Sequence, residues 1–225
     1  IASVLVAPTL LVAQPREPPK NPFKPPATKP AYYKDNPAPL SETIFSENFD
    51  TGTWPPTGWT IYTMGEVGPD QWHLDDTYYN SAPYSAAHTW GFYQYDDWLV
   101  TPQIDLTDYG QVKLSFYSRE YWLSYYVYHG VWVSTGSPDP ADGDYVEVSE
   151  IVPTVEGEWE YVELDLSAFA GQKIYIAFVY QGYNADDWYI DDVLVTGEPL
   201  AEFSPSIYFF AVIALLAVYA AIRRL

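Results

Sequence analysis

The chain alternates apolar and polar residues over many short runs, and Gly, Pro, Asn and Asp separate these runs throughout residues 41–200. Alternation with a period of two, together with β-branched and aromatic residues, is typical of strands. Ten such runs are residues 43–49, 59–63, 86–91, 98–104, 111–118, 125–134, 145–152, 160–165, 173–180 and 188–196. No amphipathic helical period lies between them. The pattern predicts an all-β domain, arranged as a jelly-roll β-sandwich.

Residues 173–180 are apolar on both faces of the predicted strand. Alternation places Ile174, Ile176 and Phe178 on one face, and the residues between them, also largely apolar, on the other. A strand with two apolar faces is covered on both sides, so this segment is predicted to lie in the middle of its sheet.

Residues 186–195, DDWYIDDVLV, combine four carboxylates with apolar residues that belong in a core. Trp188, Ile190 and Val193 can share a face only if the strand bends near Asp191 and Asp192. One interpretation is a buried strand with an acidic pair at its bend. The other is that the two carboxylates meet a cation, because neighbouring carboxylates repel unless a charge or a shared proton offsets them.

Two further regions flank the predicted domain. Residues 1–13 are apolar but too short to span a bilayer as a helix, which leaves three interpretations: the remnant of a signal peptide, the end of a membrane helix, or a docking strand. Residues 14–40 are rich in proline and lysine without apolar periodicity, and they predict an extended linker.

Residues 204–222 carry no charge and are followed by Arg223 and Arg224. Nineteen uncharged residues are enough to span a bilayer, and flanking arginines mark the cytoplasmic side. We therefore predict that residues 204–225 form a single-pass membrane anchor with the C-terminus inside the cell and the acidic domain outside.

The predicted domain is strongly acidic. From 41 to 203, 28 acidic residues stand against Lys113, Arg119 and Lys173, within a chain of net charge -20. Such a surface repels phosphate backbones, which argues against nucleic-acid binding, and it favours bound cations. The chain has no cysteine, so neither a disulfide framework nor a thiolate metal site is available.

Six motifs in a fixed order resemble the choice-of-anchor J, or cleaved-adhesin, family. They occupy residues 47–60 (ENFDTGTWPPTGWT), 96–106 (DDWLVTPQIDL), 114–117 (LSFY), 131–137 (VWVSTGS), 157–180 (GEWEYVELDLSAFAGQKIYIAFVY) and 186–195 (DDWYIDDVLV). The resemblance implies a MAM-like jelly-roll ectodomain displayed outside the cell, usually non-catalytic and often stabilised by calcium. The tail from Glu202 to Pro205 and the apolar segment after it are similar to archaeal sorting signals of the PEF type, although Ala201 stands where that pattern has proline.

The resemblance also implies which residues hold calcium. Glu47 and Asp50 match the acids that open the family domain, and Asp191 and Asp192 match its closing IDDV motif, so the site would join the first and last strands. Asp96 is a further candidate. Calcium takes six to eight oxygen ligands, and carboxylates and backbone carbonyls supply them.

Catalysis has little support, because His73, His88 and His129 form neither an HExxH pair nor part of a GxSxG nucleophile motif. The aromatic residues of 117–132 suggest binding instead, since aromatic faces stack on sugar rings and are also enriched at protein interfaces. The candidate ligand-binding residues are Trp122, Tyr126 and Trp132.

Two functions follow from these observations. The first is a non-catalytic, calcium-stabilised cell-surface module, held by a membrane helix, that acts in adhesion or as a structural subunit of a surface assembly, with a protein partner or self-assembly. The second is a carbohydrate-binding accessory module of a surface hydrolase, with a glycan as its ligand.

Overall fold

The computed structural model describes residues 40–69 and 71–200, which form a sandwich of two antiparallel sheets. The first sheet contains β1 (Glu42–Glu47), β3 (His73–Asp75), β4 (Ser85–His88), β7 (Tyr109–Tyr121), β10 (Glu160–Asp165) and β12 (Asp187–Pro199). The second contains β2 (Thr60–Thr63), β5 (Tyr95–Val100), β6 (Ile104–Asp105), β8 (Tyr128–Ser134), β9 (Tyr145–Glu150) and β11 (Lys173–Gly182). The prediction of an all-β sandwich is confirmed.

The core lies between the two sheets. Leu114 and Phe116 of β7 face Ile176 and Phe178 of β11, and none of these four side chains is accessible to solvent. Trp188 of β12 is equally buried, and its indole N–H donates to the Ser118 hydroxyl at 2.8 Å. The indole therefore fills the interior while its polar atom keeps a hydrogen-bond partner.

Strand β11 is central, as its two apolar faces predict. It pairs with β5 along one edge and with β8 along the other. Its inward residues join the main core, whereas Ala177 and Val179 face outward into a second apolar layer with Trp98 and Trp132. The outer side of the second sheet is thus covered by aromatic side chains instead of a helix.

Strand β12 bends at Asp191 and Asp192, which confirms the bend predicted from its residue pattern. Between Asp191 and Leu194 it advances three residues while β7 advances two, from Tyr117 to Ser115, and Asp192 has a φ of 51°. This extra residue is a β-bulge, which changes the phase of the strand. Trp188 and Ile190 before the bulge and Val193 and Val195 after it consequently all reach the main core.

The bulge also divides one edge of β12 between two partners. Residues Trp188 to Ile190 pair with β4, and residues Val193 to Gly197 pair with β1. The prediction that the first and last strands are neighbours is therefore confirmed, with Glu47 opposite Val193.

Several strand predictions were wrong in their bounds, and one strand was missed. The run 98–104 is two elements, β5 and β6, and β5 begins at Tyr95 because its pairing with β11 begins there, opposite Gly182. Strand β8 begins at Tyr128, not at 125, because Leu123–Tyr125 form a 3-10 turn. Strand β3 was missed, since three residues are too short to show a period.

No helix among the described residues is long and apolar enough to cross a membrane. The apolar segment 1–13, most of the linker predicted at 14–40 and the membrane anchor predicted at 204–225 lie outside the described residues.

Asp191 holds the loop before β4 against the bulge, and we expect its removal to destabilise the domain. Its carboxylate accepts hydrogen bonds from the backbone N–H groups of Asn80, Ser81 and Asp192. In Asp191→Ala these donors lose their acceptor, so the free energy of unfolding should fall by about 3 kcal/mol or more. Urea unfolding with a chelator present measures this effect without a contribution from bound metal.

Asp108→Ala is the matched control, because Asp108 is an exposed acid in a turn. Its free energy of unfolding should stay within about 0.5 kcal/mol of the parent protein. Equal unfolding free energies for the two variants would contradict the role given to Asp191.

Candidate functional site

Three connections meet at the end of the sandwich where β12 begins. They are residues 89–94 between β4 and β5, 122–127 between β7 and β8, and 183–186 between β11 and β12. Antiparallel pairing brings them together, since the register aligns the end of β7 with the start of β12 and the end of β11 with the start of β5. The Asn184 N–H donates to the Gly91 carbonyl at 2.8 Å, which joins two of these connections directly.

These connections carry a group of exposed aromatic residues that we call the aromatic end. Its members are Trp90, Phe92, Tyr93, Trp122, Tyr125 and Tyr183, each between 39% and 64% exposed. Trp90 and Phe92 pack edge to face at 5.4 Å between ring centroids, and Phe92 packs on Tyr183 at 6.2 Å. Exposed aromatic rings gathered in one place are typical of a binding surface.

Two clefts adjoin at the aromatic end and share Trp90. The first, of about 210 Å³, is lined by Trp90, Trp122, Tyr125, Asn184 and Ala185. The second, of about 590 Å³, is lined by Thr89, Trp90, Gly91, Phe92, Tyr93 and Asp187. Asp187 accepts a hydrogen bond from the Trp90 N–H at 2.8 Å and so holds this loop in place. The clefts combine flat aromatic faces with an amide and a carboxylate, which are groups that can orient a polar ligand.

The structure separates the three predicted ligand-binding residues. Trp122 lines the first cleft at the aromatic end, where it has a left-handed φ of 73°. Tyr126 is half-buried, and its hydroxyl donates to Glu150 and accepts from the His129 N–H. Trp132 is half-buried in the outer aromatic layer, with 5.5 Å between its ring centroid and that of Trp98. Its indole N–H donates to the Tyr128 hydroxyl.

Four of the five predicted calcium ligands lie on or beside β1 and the bulge of β12. The Glu47 carboxylate accepts from the Phe49 N–H, and one oxygen of Asp50 accepts from the Asn48 amide. The other Asp50 oxygen, Oδ1, is buried and has no hydrogen-bond partner among the described residues. An orphaned carboxylate oxygen fits a cation ligand, because burial without a partner is costly.

Asp191 and Asp192 already have donors in the bulge. Asp192 accepts hydrogen bonds from the side chains of Asn80 and Ser81. Burial, together with the charge of Asp192, raises the pKa of Asp191 to about 7, although the backbone N–H groups that donate to Asp191 oppose this change. Within residues 40–69 and 71–200, no group of three or more His, Cys, Asp or Glu side chains is arranged to hold a metal ion. The calcium site therefore stays a prediction.

Asp96, the fifth predicted ligand, lies in the other sheet. It is on β5, where Oδ1 accepts from the Trp98 indole N–H at 2.7 Å and from the Gln181 amide at 3.1 Å. The structure does not bring it together with the other four residues.

A row of buried polar side chains, Glu120, His129 and Asp186, lies beneath the aromatic end. His129 Nε2 is 3.3 Å from Asp186 Oδ1, and His129 Nδ1 is 3.9 Å from Glu120 Oε1. All three side chains are at most 1% exposed. Burial raises the pKa of Glu120 to about 7, against a hydrogen bond from Ser118, and burial lowers the pKa of His129.

His88 forms a second buried pair, with Asp97 at 2.8 Å between Nε2 and Oδ2. Burial lowers the pKa of His88, although the hydrogen bond that its Nε2 makes to the Asp97 carboxylate opposes this change. The Tyr180 ring stacks on His88, with 3.8 Å between the ring centroids, and the indole of Trp188 stacks on His129 at 4.5 Å. Both histidines are thus packed into the core, as expected for structural residues.

Glu120 was not singled out from the sequence, although the sequence carried a signal for it. Glu120 is in phase with Leu114 and Phe116, so alternation already placed it on the inner face of β7. The predicted strand ended at Ser118, three residues before the strand ends in the structure.

The chain is similar in sequence to Hemagglutinin A of Porphyromonas gingivalis strain W83, with 28% identity over 185 residues. The match covers 69% of this chain but spans only 8% of the length of that relative. No protein-family model matches the chain.

The solved structures that the chain resembles share its sandwich. The K3 cleaved adhesin domain of Lys-gingipain from Porphyromonas gingivalis W83 has a TM-score of 0.56 and 22% identity, over 70% of this chain and 99% of that domain. The K1 cleaved adhesin domain of the same protein has a TM-score of 0.56 and 22% identity, over 69% of this chain and 97% of that domain. The described residues therefore have the fold of cleaved adhesin domains.

The raised pKa of Glu120 predicts a pH dependence of stability. A carboxyl whose pKa is higher in the folded state than in the unfolded state contributes stability below the unfolded value, and loses it as pH rises through the folded value. From about pH 4.5 to pH 7, the Glu120 contribution to the free energy of unfolding should fall by on the order of 3 kcal/mol.

The Glu120→Gln variant should lack this contribution, because glutamine does not titrate. Urea unfolding of the parent protein and of Glu120→Gln across that pH range isolates the contribution of Glu120, since the neighbouring titrating groups are present in both proteins. Parallel stability profiles would show that Glu120 titrates at its ordinary pKa.

Proposed function

We propose that this protein is a non-catalytic adhesion module of the jelly-roll type that works at a cell surface and binds its ligand through the aromatic end. The observation that carries the proposal is the gathering of six exposed aromatic residues around two adjoining clefts. Likeness in sequence to a hemagglutinin and in fold to cleaved adhesin domains supports the same class of function.

The aromatic end favours a carbohydrate as the ligand, which is the second function considered. Trp90 and Trp122 line the first cleft with Asn184, so ring faces and an amide are available to one ligand. Sugar rings present apolar C–H faces and hydroxyl groups, which match this combination. A protein ligand would also use exposed aromatic anchors, so the test must separate the two ligands.

We further propose that a membrane helix at residues 204–222 holds the domain at the surface and that calcium stabilises the junction of β1 and β12. The apolar length of the segment and its terminal arginines support the anchor. The orphaned oxygen of Asp50, and the pairing of β1 with β12 beside the acidic bulge, support the cation site.

We expect the labelled full chain to bind erythrocytes, and Trp90→Ala and Trp122→Ala each to weaken that binding by about tenfold or more, because buried aromatic anchors dominate binding energy. Flow cytometry of labelled cells measures the loss. The matched control is Tyr79→Ala, since Tyr79 is 41% exposed, as is Trp90, and lines neither cleft at the aromatic end.

Competition identifies the ligand. Soluble oligosaccharides released from the cells should displace the protein if the ligand is a glycan, whereas protease treatment of the cells should remove binding if it is a protein. Unchanged binding by both tryptophan variants would exclude the aromatic end as the contact surface.

Calcium at the junction of β1 and β12 should raise the melting temperature by about 5–10 °C at about a hundredfold excess over its dissociation constant. Thermal unfolding of the full chain with calcium and with chelator measures the shift. Glu47→Gln and Asp192→Asn should abolish it, whereas Asp108→Asn should preserve it. If Asp96→Asn also lost the calcium-dependent shift in melting temperature, Asp96 would be a ligand after all. Equal melting temperatures of the parent protein with calcium and with chelator would exclude the site.

A further inference from the structure

A third cleft, of about 230 Å³, opens between the two sheets beside β10, away from the clefts at the aromatic end. It is lined by Ser118 and Glu120 of β7, by residues 151–154 after β9, and by Glu160, Tyr161 and Val162 of β10. Val152 and Tyr161 are 60% and 58% exposed, so the cleft opens to solvent at these residues.

A carboxylate with a free oxygen lines this cleft. The Glu120 side chain is buried, and its Oε1 accepts a hydrogen bond from the Ser118 hydroxyl at 2.6 Å. Its Oε2 has no hydrogen-bond partner among the described residues. A buried carboxylate oxygen without a donor is unfavourable, so this atom fits a ligand that brings hydrogen-bond donors and positive charge.

His129 Nδ1 lies 3.9 Å from Glu120 Oε1, but burial lowers the pKa of His129, and no described Lys or Arg forms an ion pair with Glu120. Arg119 is next in sequence, but its guanidinium lies over the Tyr78 ring and its Nε donates to the Gly157 carbonyl. Lys113 pairs with Glu163 on the outer side of the first sheet.

The second acid in the cleft is Glu160, which accepts hydrogen bonds from the Thr154 side chain and from the Thr154 N–H. The cleft therefore has excess negative charge.

The lining distinguishes between kinds of cation. A divalent ion such as calcium needs six to eight oxygen ligands, whereas the acids that line this cleft are two, Glu120 and Glu160. Val152, Pro153 and Val162 instead provide an apolar wall beside the two carboxylates. A chain of methylene groups that ends in an ammonium matches both parts of this lining.

We propose that this cleft binds a primary alkylammonium group, such as the side chain of a lysine on a partner protein. The ammonium lies against Glu120 and Glu160, and the alkyl chain lies along Val152, Pro153 and Val162. This second contact surface is separate from the aromatic end, so the module can engage a lysine-bearing partner while its aromatic end binds another ligand.

The probe that tests this proposal is n-butylammonium, which has the chain length and the charge of a lysine side chain. We expect titration of the full chain in detergent to shift the backbone amide signals of Ile151, Val152, Thr154 and residues 160–162 with saturation. The titration is done at pH 8, where Glu120 is ionised because burial raises its pKa only to about 7. Glu120→Gln should weaken binding by about tenfold or more, because it removes a charge-assisted hydrogen bond. The control Glu163→Gln changes an exposed acid of β10, the strand that carries Glu160. It should bind as the parent protein does, because Glu163 does not line the cleft.

Two comparisons on the parent protein require no variant and so do not depend on the folding of Glu120→Gln. Neutral n-butanol should bind at least about tenfold more weakly than n-butylammonium, and equal affinities would mean that the cleft is only apolar. Calcium should not displace the probe. Displacement by calcium, or the absence of saturable shifts with n-butylammonium, would overturn the proposal, whereas failure of erythrocyte binding would leave it unaffected.

Discussion

The carboxylate of Asp191 is the constraint on which the sandwich depends. It accepts hydrogen bonds from three backbone N–H groups at the point where β12 gains an extra residue, and it is fully buried there. The bulge that it stabilises lets apolar residues on both sides of the bend reach one core and lets β4 and β1 share one edge of β12. Burying a carboxylate lowers the free energy of unfolding unless its oxygens are paired. Here the hydrogen bonds to Asp191 fix the register of β12, the strand with which β1, β4 and β7 of the first sheet all pair.

The fold could be predicted largely because strand alternation is a local property. The segment 160–165 was predicted with the bounds that the structure shows, and the bend at Asp191 followed from requiring Trp188 and Val193 to share a face. What failed was the treatment of acids as loop residues. Asp97 lies inside β5, and its hydrogen-bond partner His88 is nine residues earlier in the chain and on another strand. Local pattern does not contain that pairing.

The candidate sites were less predictable, because each is assembled from segments far apart in sequence. Trp122 was identified, but its neighbours Trp90 and Asn184 come from two other connections that only the strand register brings together. Trp132 belongs to the same aromatic run, yet alternation and the phase of β8 place it in the outer layer beside Trp98. Composition indicated a surface rich in aromatic residues, and topology decided which of them line a cleft.

The division of one edge of β12 between two strands has a consequence for assembly. β1 covers residues 193–197 of that edge and is the first strand of the sandwich in chain order. Without β1, those residues would present unpaired N–H and C=O groups beside a buried apolar face, which is the arrangement that accepts an added strand from another molecule. Pairing with β1 therefore closes this edge of β12 against the addition of a strand from a neighbouring molecule.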